Sequence, residues 1–556
     1  METKKSTAPR LISGVIVLTI SNLVVKLLGL FCKIPLHGIL QDQGMGYFNI
    51  AYNIFTTLYL VSTAGLPTAI TIMISRTPRD DARKKQVEKI FRVALAVFFV
   101  LGVLGSSIMF FFAKPLARLM DSEASYLCIM AISPTLFFIC ISSAMRGYFQ
   151  GHQNMVPTAI SEITEAIGKF AIGIALGYYA ISRGESIEVA AGYAIAGITI
   201  GVAMGMLFLV GAKAVYNSKH RRDAEASTGE AGKVSTRKEI LKQMLVIALP
   251  ITVSSVALNL TGIIDTFSII NSMSLYTTKD IAEAAYGNYS TLAVTMAHLP
   301  SAFIQPIASS LTPALTASLI AVKTAKTREE KLEKRHVADK VMHSCLKFAA
   351  IIAIPCAIGM SVLSKPILSM LFNNPEQVES VKNAAPLLSI LSIGVFFTAM
   401  LTITTAILQA HKLQKKPIIS MFCGILVKLV LNLTLIRNPA IGIYGAPIGT
   451  VACYFTMAVI NFYFVIKYVG IRIGFIKNFI KPFIGTLLAS VVTLFTYWLV
   501  DLRFSSAVAT CVSILMTILA YFVLLFLLRT FQRSDIIILP KGEKIYRFLS
   551  KHKLVK

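Results

Sequence analysis

Long apolar stretches alternate with short polar ones along the whole chain. Stretches such as 93–113 and 508–528 contain no charged residue and lack the one-sided stripe of a soluble amphipathic helix. As helices they cross about 30 Å of hydrocarbon. A closed β-barrel would instead show alternating segments of about ten residues, and none occurs. The pattern predicts about fourteen transmembrane helices, at 10–36, 46–75, 91–113, 126–150, 157–181, 188–212, 242–270, 286–318, 345–372, 383–410, 417–437, 442–467, 480–501 and 506–530. The expected fold class is therefore an all-α integral membrane protein.

Composition agrees with that pattern, since 55% of the 556 residues are hydrophobic and 15% charged. Soluble domains carry about 25% charged residues. The formal net charge of +27 invites a nucleic-acid partner, but the placement of the cations excludes it. Most Lys and Arg fall in the termini and in alternate loops, starting from the N-terminus, the positive-inside pattern of a protein with both termini cytoplasmic. These basic loops lie beside anionic lipid headgroups. Residues 1–10 are polar and lead into an apolar run, 11–36, too long for a signal-peptide core and without a small-residue cleavage site, so it is read as the first helix. Two longer charged loops, 213–241 and 320–344, are expected inside, and the outward loops are short. The eight cysteines are scattered without CxxC spacing, which predicts neither a metal site nor a disulfide framework. No P-loop, nucleophile motif or metal-spaced acid pair is present, so no cofactor and no enzymatic activity are expected.

An internal repeat organises the chain. Lys114-Pro115-Leu116 with Leu119-Met120 recurs as Lys365-Pro366-Ile367 with Met370-Leu371. Phe137-Phe138 and Phe149-Gln150-Gly151-His152 both recur 259 positions later, as Phe396-Phe397 and Leu408-Gln409-Ala410-His411. Pro157 matches Pro417 with one insertion, and Leu66-Pro67-Thr68-Ala69 resembles Leu311-Thr312-Pro313-Ala314. The repeat runs from six helices to six helices, so the copies are parallel, an arrangement typical of alternating-access transporters. The expected organisation is a six-helix lobe over 1–215, a cytoplasmic linker over 216–241, a second lobe over 242–470, two additional helices over 471–531 and a basic cytoplasmic tail over 532–556.

The segment Arg146-Gly147-Tyr148-Phe149-Gln150-Gly151, continuing through Met155-Val156-Pro157-Thr158-Ala159-Ile160-Ser161 to Glu162 and Glu165, resembles the stage V sporulation protein B family of Gram-positive bacteria. Lys33-Ile34-Pro35-Leu36, Ala64-Gly65-Leu66-Pro67-Thr68-Ala69-Ile70 and Gly445-Ala446-Pro447-Ile448-Gly449-Thr450 extend the likeness over nearly the whole chain. That family lies in the polysaccharide-exporter branch of the multidrug/oligosaccharidyl-lipid/polysaccharide flippase superfamily, with the lipid II flippases of peptidoglycan synthesis. The resemblance implies a monomeric flippase of the cell membrane for an undecaprenyl-diphosphate-linked sugar, serving cell-wall, spore-cortex or polysaccharide synthesis, with membrane lipids as its other partner. It also implies a V-shaped pair of six-helix lobes. A multidrug/cation antiporter of the same superfamily is the alternative, and a membrane glycosyltransferase or ligase fits less well. Two positions depart from the family pattern: Lys33 stands where Arg is usual, and Lys428 stands among residues that match a sodium site in relatives.

An ionisable group inside the membrane is costly and marks function by default. Asn22, Lys26, Gly29 and Lys33 share one face of the first helix, and two cations on one stripe suit a diphosphate. Arg146 either meets an incoming headgroup or anchors the helix end. Glu162, Glu165 and Lys169 share a face of the fifth helix, where Glu165 and Lys169 either pair at i, i+4 or serve coupling. His298 precedes Pro300 at mid-membrane and can titrate. Asp265 in the seventh helix, with Lys428 and Asn432 in the eleventh, forms the remaining candidate network, in which an ammonium takes the place of sodium.

Overall fold

A computed structural model of the chain describes residues 8–63, 65–77, 83–152, 154–221, 235–305, 327–372, 377–470 and 476–528, with Thr530 and a few positions between 307 and 322. Its regular structure is entirely helical among these residues. In a bilayer the backbone finds no water, so each segment satisfies its own N–H and C=O groups by coiling. Ten helices are long and apolar enough to cross a membrane. The fourteen-pass reading is compatible with them. It adds the first part of α1 (Ala8–Thr63), the whole of α7 (Val156–Ser182) and α9 (Arg237–Met273), and the segment that begins with α10 (Lys279–Asn288).

The sequence pattern places a loop between the first two passes, and here the structure differs. α1 runs on through that region and breaks only at Gln41, whose φ of 55° and ψ of −171° interrupt the helical backbone. Beside the break, the buried His37 ring nitrogen Nε2 lies 2.7 Å from Asp42 Oδ1. Keeping the turn helical leaves few backbone groups unsatisfied at the membrane boundary.

The described chain divides into two compact units, one ending at Gly287 and the other beginning at Asn288. The first also holds α2 (Leu66–Arg76), α3 (Arg83–Phe111), α4 (Ala113–Leu119), α5 (Tyr126–Ile132), α6 (Thr135–Gly151) and α8 (Ile187–Arg221). α2, α3 and α6 close around a core that includes Leu66, Ile70, Phe91, Phe98 and Phe149. α7 and α8 touch backbone to backbone: a Cβ on Gly197 would lie 2.4 Å from Gly173 Cα, and one on Gly201 would lie 2.3 Å from Lys169 N. Between helices in lipid, such close small-residue contact replaces the hydrophobic drive that water would supply. At the start of α9, Thr236 Oγ1 accepts from Glu239 N–H and Glu239 Oε2 accepts from Thr236 N–H at 2.8 Å. The hydrogen bonds from Thr236 hold the Glu239 carboxyl below its ordinary range.

The second unit contains α11 (Arg328–Val362), α12 (Ser364–Leu371), α13 (Val378–Ala410), α14 (Lys415–Leu435), α15 (Gly445–Phe464), α16 (Lys481–Asp501) and α17 (Ser506–Leu527). α13 packs between α11 and α15, and α14 lies against α15. The two additional helices, α16 and α17, pair with each other and join α11 through a cluster of Ile351, Ala489, Tyr521 and Leu525. Tyr521 donates its hydroxyl to the Ile351 carbonyl at 3.0 Å. Their outer faces expose Val491, Leu494, Phe495, Trp498, Leu515, Leu519 and Val523, a surface suited to lipid rather than water.

The sequence repeat returns as local geometry. α4 and α12 are both short helices entered through residues of nearly identical backbone conformation, Phe112 (φ −99°, ψ 18°) and Leu363 (φ −98°, ψ 21°). α6 and α13 both end at a histidine, and each ring Nδ1 lies 2.9 Å from the carbonyl four residues back: His152 on Tyr148, His411 on Ile407. The motif at 311–314 falls outside the described residues.

Because the α7–α8 contact tolerates no Cβ at Gly197, Gly197→Val should destabilise the detergent-solubilised protein by about 1–3 kcal/mol. Gly211, with nothing within 4 Å of its would-be Cβ, should accept Ala without loss. Thermal melting followed by size-exclusion chromatography checks both.

Candidate functional site

α7 brings three ionisable side chains into the interior of the first unit, where α1, α6 and α8 surround it. The strongest contact is not within α7. Arg146, reaching over from α6, donates from Nη2 to Glu165 Oε2 at 2.8 Å and from Nε to Ser161 Oγ at 3.3 Å. The two charged side chains are 12% and 14% exposed, so the pair lies largely out of solvent, where its attraction is strong and the loss of either member strands a charge. Two of the five guanidinium N–H groups are used; the others make no hydrogen bond to a described residue. Glu162, one turn before Glu165, faces the same guanidinium, and its Oε2 is buried without a hydrogen-bond partner. From α1, Ser21 faces Glu162 and Tyr59 faces Arg146 and both acids.

Further along the α1–α7 contact, the half-buried Lys33 faces Lys169. Lys169 directs its ammonium over the Phe170 ring, 5.7 Å from the centroid. Asn22 is exposed, and the side chain of Lys26 lies outside the described residues. Asp265 is buried in the first unit. Its neighbour Thr266 closes a polar triangle with Asn53 and Tyr286: Asn53 Nδ2 donates to Tyr286 Oη at 2.6 Å and to Thr266 Oγ1 at 3.1 Å, and the two hydroxyls lie 2.8 Å apart. This triangle ties α1, α9 and α10 together. Lys428 and Asn432 are buried in the second unit. A Cβ on Gly449 would fall 2.1 Å from Asn432 Oδ1, so glycine there makes room for the amide. His298 is exposed, just after the short helix Thr295–Ala297.

Sequence reasoning singled out Arg146 and Glu165 separately but not Ser161, Tyr59, Asn53 or Tyr286, whose neutral side chains carry no periodic or charge signal. It also read Lys213 as a loop cation. In the structure α8 runs on past this position and Lys213 is buried within it, with its ammonium 3.2 Å from the Phe91 ring centroid, 4.8 Å from that of Tyr148 and 3.8 Å from Glu88 Oε2. Among the described residues no group of three or more His, Cys, Asp or Glu side chains is placed to hold a metal ion.

Comparison with solved structures places the fold of this multi-pass helical chain. The fold matches the lipid II flippase MurJ in an inward closed conformation, with a TM-score of 0.60 at 15% identity over 96% of this chain and 100% of that one. It also matches an inward-facing multidrug resistance MATE family transporter of the MOP superfamily, with a TM-score of 0.61 at 16% identity over 81% of this chain and 98% of that one. Residues 11–319 match the model of the polysaccharide biosynthesis protein family, and the chain belongs to that family. Residues 301–434 match the MatE model. Among Bacillus subtilis (strain 168) proteins, the chain is 26% identical to the uncharacterized membrane protein YabM, over 81% of this chain and 79% of that one. It is 24% identical to stage V sporulation protein B, over 85% and 90%, and 24% identical to the lipid II flippase MurJ, over 83% and 83%.

The buried ion pair predicts a double-mutant cycle. Arg146→Gln leaves two acids without their guanidinium and should cost about 3–5 kcal/mol of stability, whereas adding Glu165→Gln should restore most of that loss. Melting temperatures of the two single variants and the double variant read the coupling directly.

Proposed function

We propose that the protein moves an undecaprenyl-diphosphate-linked sugar, such as lipid II or a polysaccharide precursor, across the cytoplasmic membrane. Alternating access between the lobes 1–215 and 242–470 opens the site first to one side and then to the other, with both termini cytoplasmic and the monomer as the working unit. The observation that carries this reading is the partly buried cationic set of the first unit. Arg146, Lys33 and Lys169 gather where α1, α6 and α7 meet, with Glu162 and Glu165 as the acids on α7 beside them. A diphosphate leaving the headgroup layer requires such counter-charge, and Arg presents phosphate with two parallel donors. Asn22 and Lys26, on the same face of α1 as Lys33, complete the proposed binding stripe. The relative named as a lipid II flippase favours the same substrate class.

The match of 301–434 to the MatE model favours a second reading, antiport of cationic drugs. Charge favours the first reading, since the same cations that attract a diphosphate repel a cationic drug. Coupling is assigned to Asp265 and Lys428, with the amide of Asn432 and the titratable His298, and with the Lys428 ammonium in the role a sodium ion would otherwise fill, so that membrane potential or pH drives the cycle.

Two outcomes follow in proteoliposomes loaded with lipid II. Replacing sodium by choline should leave turnover intact, and loss of activity restored by sodium would refute the role given to Lys428. Lys26→Ala should abolish movement while leaving the reconstituted protein level normal; a fully active variant would remove Lys26 from the binding stripe.

A further inference from the structure

The contact between Arg146 and Glu165 bears on how a bound headgroup is let go. A carboxylate and a phosphate offer a guanidinium the same thing, two coplanar anionic oxygens. Arg146 already holds one such group, Glu165 Oε2 at 2.8 Å. A phosphate that takes the Nη2 edge of the guanidinium must displace that carboxylate in a site where both partners are largely buried.

The repeat shows that a buried ion pair is not required to hold these helices together. The position 259 residues after Arg146 is Thr405 on α13. There Asn461 of α15 donates to Thr405 Oγ1 at 3.0 Å and to Thr404 Oγ1 at 3.3 Å, and the Ser420 hydroxyl on α14 bonds Asn461 Oδ1 at 2.7 Å. Three helices are tied by neutral groups, and Asn461, Thr404 and Ser420 are fully buried. The first unit ties α6 to α7 at the matching position with charges instead.

We infer that Glu165 is an internal stand-in for the substrate phosphate: it holds Arg146 between cycles and reclaims it to expel the headgroup. Glu165 is thus a positioning residue that acts through Arg146. Glu162 lies one turn from Glu165 on α7 and faces the same guanidinium, so a second carboxyl stays beside Arg146 when the bond to Glu165 breaks. Ser161 holds Nε, fixing the plane of the group while Nη2 changes partner. The inference rests on the flippase reading, since it needs an anionic headgroup at Arg146.

Undecaprenyl diphosphate binding to the purified full-length protein, and lipid II turnover in proteoliposomes, test it together. Glu165→Gln is isosteric and leaves an amide oxygen for Arg146 but removes the competing charge. It should bind undecaprenyl diphosphate about 10- to 100-fold more tightly while turnover falls, opposite movements that a merely structural tie would not produce. Glu165→Asp keeps the charge and draws it back by one methylene, so it should shift binding the same way by less, and it serves if the glutamine variant does not fold. Ser161→Ala removes a hydrogen bond but no competitor and should not tighten binding. Wild-type protein that fails to bind undecaprenyl diphosphate would overturn the substrate reading and this inference with it. Normal wild-type binding, with either Glu165 variant unchanged or weakened, would overturn this inference alone.

Discussion

The cost of placing charge in hydrocarbon governs the first unit. A carboxylate or guanidinium taken out of water loses several kcal/mol of solvation, and recovers it only from a partner at hydrogen-bond distance. α7 carries Glu162, Glu165 and Lys169 into that environment, so its neighbours are constrained. α6 must lie where Arg146 reaches Glu165, and α1 must bring Tyr59 and Ser21 to the same group. α8 contributes by absence of bulk. Gly197 and Gly201 let its backbone touch that of α7, and Gly205 leaves space beside Glu165, whose Cβ is 3.3 Å from where a side chain at 205 would begin. Glycine spacing sets the distance between the helices, and charge sets their rotation.

Duplication supplied the scaffold, and the two copies then diverged in charge. The matched geometry at Phe112 and Leu363, and at His152 and His411, shows how closely the backbone was kept. What stands on it differs. Position 146 holds a guanidinium on an acid, while position 405 holds a hydroxyl on an amide. A neutral hydrogen bond between helices contributes stability without a large desolvation cost, whereas a buried ion pair gives little net stability for the risk of stranding a charge. Retaining the costlier arrangement in one copy is explained by what it can exchange, not by how firmly it holds.

Much of this was legible in the sequence because the signals are collective. An uninterrupted apolar run of some twenty residues leaves few choices of structure, and a repeat with one constant offset needs no three-dimensional information. The site was legible only in part. The intramembrane charges announced themselves by their cost, but pairing did not follow sequence spacing. The i, i+4 rule pointed Glu165 toward Lys169, yet the carboxylate bonds Arg146, on another helix. Arg is the better partner out of water, being more weakly hydrated and preorganised for carboxylate, while the Lys169 stem carries its ammonium over Phe170. Tyr59 and Asn53 left no trace, and Ser161 stood only as part of a motif, since a single neutral polar residue within a helix is unremarkable until its partners are known. Lys213 misled for the opposite reason: a cation just past an apolar run usually lies in water, but α8 continues to Arg221 and Phe91 and Tyr148 enclose the ammonium.

The choice of arginine at 146 follows from what a carrier must do. It has to hold its cargo well enough to draw it from the headgroup layer and loosely enough to surrender it on the far side. A lysine offers a point charge that binds any anion without regard to orientation. A guanidinium presents a planar fork, so two anions that fit the fork compete for it on equal terms. With Glu165 fixed on α7 one competitor is always present, and the net affinity for a phosphate is the difference between two strong interactions rather than the whole of one. Small helix movements that favour one partner over the other then suffice to load or empty the site, and the affinity is tuned by geometry rather than by adding or removing charge.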